Sequence, residues 1–148
     1  MYKRQRLDTA EAKVAELRAS GVVIAEVFAN KETKPMGSAS EGEKQSVRDE
    51  IDIIREKLMA TEIFYELGDT QASYASARSA YLDSYEYVEI PLRAIAPDFT
   101  FEVEYQFATL RNQINDGATI EEIATTIISL ERSLDESCLL YTSPSPRD

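Results

Sequence analysis

The 148-residue chain carries 27 acidic side chains against 16 basic ones, a net charge of -11, with a single cysteine and neither histidine nor tryptophan. Such a field repels nucleic acid and anionic membrane surfaces and attracts cations and basic partners. Without histidine, and with one thiol, the usual zinc sites, a disulfide framework and Ser-His or Cys-His catalysis are excluded.

The two ends read differently from what lies between them. Tyr2-Lys3-Arg4-Gln5 and Cys138-Leu139-Leu140-Tyr141-Thr142 can be encoded by one DNA sequence read on opposite strands, and Ser143 to Asp148 continue it. Both ends thus resemble a translated transposase sequencing adapter, so Met1 to Gln5 and Cys138 to Asp148 are set apart. Arg6 to Ser137 is expected to be one domain, an internal fragment of a longer gene recovered from a sequenced mixture of organisms. Without Lys3, Arg4, Arg147 and Asp148 its net charge is -13, and it has no thiol.

In chain order, Thr9 to about Phe28 reads as a first helix, capped by Asp8 or Thr9, with Val14, Leu17, Ile24, Val27 and Phe28 as its apolar positions. Gly21 and the Val22-Val23-Ile24 run weaken it. Asn30 to Gly42, with Pro35, Gly37 and Gly42, is expected to be the one long flexible loop. From Ser40, with Glu43 in a capping box, a second helix follows on Val47, Ile51, Ile54 and Leu58, widening to Ile63, Phe64 and Leu67. Gly68 ends it, and Asp69 or Thr70 caps the next, which forces an αα-hairpin.

The third helix carries Tyr74, Ala77, Tyr81, Tyr85, Val88, Leu92 and Ile95 in one seam, with alanines at 72, 75, 77 and 80 for close approach. Pro91 removes a donor while the apolar phase continues, so a kink is expected there and not a stop. Glu89 and Arg93 are correctly ordered for an i,i+4 pair. Pro97-Asp98 opens a fourth helix on Val103, Phe107, Leu110 and Ile114; Asp116-Gly117 stops it. A capping box at Thr119 and Glu122 begins a fifth, striped by Ile120, Ile123, Ile127, Leu130 and Leu134. No segment reads as a strand. The expected fold is all-α, an antiparallel bundle of about five helices built from αα-hairpins.

Beside the third helix's seam, Asp83, Glu86 and Glu89 recur at threes, so their carboxylates stack along one stripe. Spacing alone leaves two readings open: oxygen ligands for a hard cation, or a solvated face.

The run from Ala72 to Leu134 resembles the soluble region preceding the membrane-embedded part of high-affinity iron permeases. The resemblance lies in Ala77-Arg78-x-Ala80-Tyr81-Leu82-x-x-Tyr85-Glu86-x-Val88-Glu89-x-x-Leu92-Arg93, then Pro97-Asp98, Phe107-x-x-Leu110-Arg111-x-x-Ile114 and Gly117-Ala118. It implies a domain on the extracytoplasmic side of the cell membrane that gathers or senses iron. Its implied partners are the transmembrane permease domain of the same full-length chain and an electron-transfer or iron-delivery protein. Glu86 and Glu89 match the family's paired acids, with Asp83, and Glu62 and Glu66 on the second helix, as further candidate oxygens. The Arg-Glu-x-x-Glu motif of the membrane part is missing: Arg48-Asp49-Glu50 and Arg55-Glu56-Lys57-Leu58-Met59 lack the second glutamate. This piece alone is therefore not expected to transport.

Two other classes compete. Ala-rich hairpins around Leu67-Gly68-Asp69 also look like tetratricopeptide units, which bind peptides and have no metal role, although the echo between the two hairpins is loose. An enzyme is not expected, since no strand scaffold, phosphate loop or histidine supports the acids.

Overall fold

The computed structural model describes residues 41–142, and every regular element among them is helical. These are α1 (Glu41–Glu66), α2 (Thr70–Ser79), a π-helical segment (Ala80–Tyr85), α3 (Glu86–Ile95), α4 (Pro97–Asp116) and α5 (Ile120–Thr142). Because α2, the π segment and α3 follow without a break, four rods stand where the second to fifth helices were expected. The first expected helix, the capping residue Ser40 and most of the loop lie outside the described residues, while Gly42, read as loop, is already inside α1.

The turns form where the sequence places them. At the end of α1 the Gly68 amide donates to the Tyr65 carbonyl and the Asp69 amide to that of Phe64, both near 3 Å. That pattern closes a helix only if Gly68 is left-handed, and its φ is +86°. Asp69 then caps α2 by accepting the Ala72 amide at 3.0 Å. Gly117 (φ +75°) repeats the device after α4, with the Ala118 amide on the Gln113 carbonyl. The capping box is reciprocal: the Thr119 amide donates to Glu122, and the Glu122 amide donates to the Thr119 hydroxyl. At Gly117 an added Cβ meets nothing within 4 Å, so Gly117→Ala is expected to cost only the left-handed backbone penalty, about 1 kcal/mol. A urea titration checks it.

α1 packs on α2 and α5, and α4 packs on α5 and on the α2–α3 rod, so the rods close into a ring with α1 and α4 on one diagonal. Short connections reverse the chain each time, which makes neighbours antiparallel all round. Stacked repeat hairpins would separate α1 from α5. Here the two are joined by an Arg55–Asp135 ion pair at 2.5 Å, and the Tyr65 hydroxyl ties α1 to the Ala118 carbonyl at the start of α5. Leu58, Tyr85, Leu92, Phe107, Leu110 and Leu130 are fully buried between the rods.

Between α1 and α2 the contact is made by small residues. Ser73, Ala77 and Ala80 are buried, and the Ser73 and Ser76 hydroxyls donate to the Thr61 and Lys57 carbonyls at 2.8 and 2.9 Å. Side chains this short bring the backbones close enough for such bonds. The Lys57 ammonium then reaches the Ser79 and Ser84 hydroxyls at 2.8 and 3.2 Å, one at each end of the π segment.

That segment changes the register of the seam. The buried positions are Ser73 and Ala77 before it, Ala80, Ser84 and Tyr85 within it, and Val88, Glu89 and Leu92 beyond it. A π turn spends one extra residue, which rotates everything after it relative to what came before. Pro91 sits inside α3 without ending it, as expected, and the regular ladder also gives way upstream at the π segment. Ile95, expected in the seam, is half exposed, because Ala96 leaves the helix immediately after it.

The boundary drawn at Ser137 is not a structural one. α5 continues to Thr142, and Ser137 and Tyr141 extend the stripe of Ile123, Ile127, Leu130 and Leu134 by alternating steps of three and four. Tyr141 is 3% exposed, with Cys138 and Leu140 packed against the same core.

Candidate functional site

An antiparallel hairpin sets opposite one another those residues that lie equally far from its turn. About Ala96, Glu89 and Glu104 are seven and eight residues away, Tyr85 and Phe107 eleven each, and Tyr81 and Arg111 fifteen each. All three pairs meet. The Tyr85 and Phe107 rings lie 5.5 Å apart, Tyr81 adds a ring 5.3 Å from Phe107, and the Arg111 guanidinium sits 5.8 Å from the Tyr81 centroid.

Glu89 is the centre of this group. It is fully buried, because the register change turns it toward α4 and away from solvent. The Tyr81 hydroxyl donates to its Oε1 at 2.9 Å. Its Oε2 lies 3.3 Å from the Arg93 guanidinium, an ion pair without hydrogen-bond geometry, and that oxygen accepts no hydrogen bond. Arg93 also lies 3.9 Å from Glu104, so one half-exposed cation bridges two carboxylates. Burial, then the neighbouring Glu104, push the Glu89 carboxyl up to about 7, against the opposing pull of Tyr81 and Arg93. Both phenols are held protonated: burial raises Tyr81 and Tyr85, and the charges of Glu89 and Glu104 raise them further. The Tyr85 hydroxyl shares a hydrogen bond of 2.8 Å with Ser137.

Of the acids singled out in the sequence, only Glu89 belongs to this group as a buried member. Glu86, one turn earlier, is exposed and reaches the site only through its charge on Tyr81. Asp83 is exposed and accepts a hydrogen bond from Ser79 at 2.8 Å. Glu62 and Glu66 lie less than two turns from Gly68, whereas Glu89 lies 21 residues beyond it. At 1.5 Å per residue they are displaced from Glu89 by roughly 20 to 30 Å along the bundle, so they do not face it across the hairpin. The two acids that do meet are Glu89 and Glu104. Counting residues from the turn at Ala96 sets Glu104 opposite Glu89, whereas the acid stripe runs along a single helix.

Among the described residues no group of three or more His, Cys, Asp or Glu side chains is arranged to hold a metal ion. No described helix is long and apolar enough to cross a membrane. Compared with known proteins, the chain matches no family model, no curated protein and no solved structure. The chemistry of these side chains therefore carries the functional reading.

Proposed function

We propose that the chain is an extracytoplasmic helical domain of an iron permease, and that Glu89 with Glu104 offers carboxylate oxygen to iron on its way to a membrane-embedded part. The observation that supports this is a fully buried carboxylate with one oxygen free of hydrogen bonds, beside a second carboxylate and a phenol. Ferric and ferrous ions both take such hard oxygen ligands, ferric the more strongly. Two carboxylates do not complete a coordination sphere, so further oxygens come from water or from the permease. Tyr81 enters as a ligand only if the metal displaces its proton, and otherwise orients Glu89. Arg93 is the resident counter-ion and is half exposed, so it can swing to solvent when a metal ion takes its place.

The ligand pair is then Glu89 with Glu104 across two helices, and not Glu86 with Glu89 along one. Iron titrated into the purified chain is expected to bind, with Glu89→Gln and Glu104→Gln each weakening affinity at least tenfold and Glu86→Gln leaving it nearly unchanged. Isothermal calorimetry, or luminescence of a lanthanide substitute, reads this directly. Equal affinity in all four proteins would reduce the cluster to a structural ion pair and the chain to a helical packing or docking module.

A further inference from the structure

The groove between α3 and α4 opens to solvent where the partly exposed side chains of Arg93 and Glu104 meet. Three large side chains border that opening: Ile90 is 38% exposed, Phe101 63% and Tyr105 73%. Ile90 lies six residues before Ala96, and Phe101 and Tyr105 lie five and nine after it. In an antiparallel hairpin Ile90 and Phe101 therefore stand level across the groove, with Tyr105 one turn beyond Phe101. Helical phase sets their direction. At 100° per residue Ile90 falls roughly 150° from the buried side of α3, and Phe101 and Tyr105 fall roughly 145° and 175° from that of α4, so all three point outward. The core takes Val103, Phe107, Leu110 and Ile114 from α4 and leaves this pair of aromatic rings outside. On α5, by contrast, Ile128 and Leu139 are exposed about three turns apart, the scattered pattern ordinary for a surface.

We propose that this face docks a basic amphipathic helix of a partner protein, with the partner's aliphatic side chains on Ile90, Phe101 and Tyr105 and its lysines or arginines on the surrounding acids. A groove between two antiparallel helices accepts a third by the same ridge packing that builds the bundle. Exposed aromatic rings on an outward face supply large contact area at little cost in side-chain entropy. Charge selects the occupant. Glu86, Asp98 and Glu102 are exposed around the three residues and Glu104 is partly so, four carboxylates against the single guanidinium of Arg93. A second copy of the chain would bring the same acids against themselves across a two-fold interface, and an anionic lipid surface would be repelled likewise. A partner arginine gains further by stacking on Tyr105 or Phe101. This docking surface is independent of any role of Glu89 and Glu104 in iron handling.

The test uses the full chain and a fluorescently labelled synthetic helix of leucine and arginine, its leucines at i, i+3, i+4 and i+7. Anisotropy titrations at physiological salt are expected to show saturable binding. Phe101→Ser/Tyr105→Ser is expected to weaken it at least about tenfold, as removal of aromatic anchors does, while Ile128→Ser/Leu139→Ser leaves it nearly unchanged. Helices with glutamate for arginine, or with serine for leucine, are each expected to bind at least about tenfold more weakly than the parent. Melts followed by circular dichroism are expected to match wild type for both double variants, since all four side chains are exposed. An absence of binding, equal losses in the two double variants, or a serine helix bound as tightly as the leucine one would each overturn the proposal. So would co-sedimentation with phosphatidylcholine vesicles, or a dimer in analytical ultracentrifugation, that Phe101→Ser/Tyr105→Ser abolishes, because the face would then belong to lipid or to a second copy.

Discussion

Removing Cys138 to Asp148 is expected to destabilise the bundle by about 3 kcal/mol, lowering the melting temperature by about 10 °C. The reason is Tyr141, which is 3% exposed at the far end of the α5 stripe, supported by Cys138 and Leu140. Taking away a buried aromatic residue forfeits its transfer energy and opens a void at the rim of the core. Whatever its origin, this stretch supplies Leu and Tyr at positions that continue a helical face, and burial depends on side chains alone. Tyr141→Ala in the full chain should account for most of the loss. Thermal melts of the intact, trimmed and Tyr141→Ala chains decide it, and an unchanged midpoint on trimming would mean that the last turns of α5 contribute nothing.

The second large effect is a stability that falls as pH rises. Glu89 has its carboxyl raised from 4.5 to about 7, first by burial and then by Glu104. Between those values the folded chain holds a proton that the unfolded chain has released, so protonation favours the fold. The contribution is fully present below about 4.5 and is lost progressively as pH rises to about 7. Its size is at most about 3 kcal/mol, because the titration is shared with Glu104 and the Arg93 partner is half exposed. Arg93 and Glu104 face Glu89 from either side, and Tyr81 and Arg111 complete the surroundings. Glu89→Gln keeps an oxygen for the Tyr81 hydroxyl and removes the titration. Urea unfolding at pH 5 and 7.5 should therefore show wild type losing stability relative to Glu89→Gln as pH rises. A difference that stays constant, or that changes in the other direction, would show that Glu89 ionises freely in the fold.

Much of this architecture is legible in the sequence because its signals are local. Gly68 and Gly117 stop helices at left-handed positions, Asp69 and Thr119 start the next ones, and the apolar steps of Val103 to Ile114 and Ile123 to Leu134 give each rod its inner face. The Glu89–Arg93 pair is local too, one turn apart on one helix. The phase of Glu89 was not legible, since a π turn leaves no apolar mark of its own, and neither was the exposure of Ile95, which follows from the helix ending at Ala96. The pairing of Glu89 with Glu104 depends on the turn at Ala96, whereas Glu62 and Glu66 lie beside the turn at Gly68, too far along the bundle to reach Glu89.

What the sequence determined by itself, among the described residues, was the four helical rods, the turns at Gly68 and Gly117 and most of the face each rod buries, because those follow from backbone geometry within a few residues. Tertiary structure decided which rods are neighbours, that Glu89 and not Glu86 goes inside, and that Tyr141 belongs to the core. Those outcomes depend on how four apolar faces fill one space at once. A carboxylate is driven to about 7 only when a facing helix removes its water and brings a second carboxylate beside it.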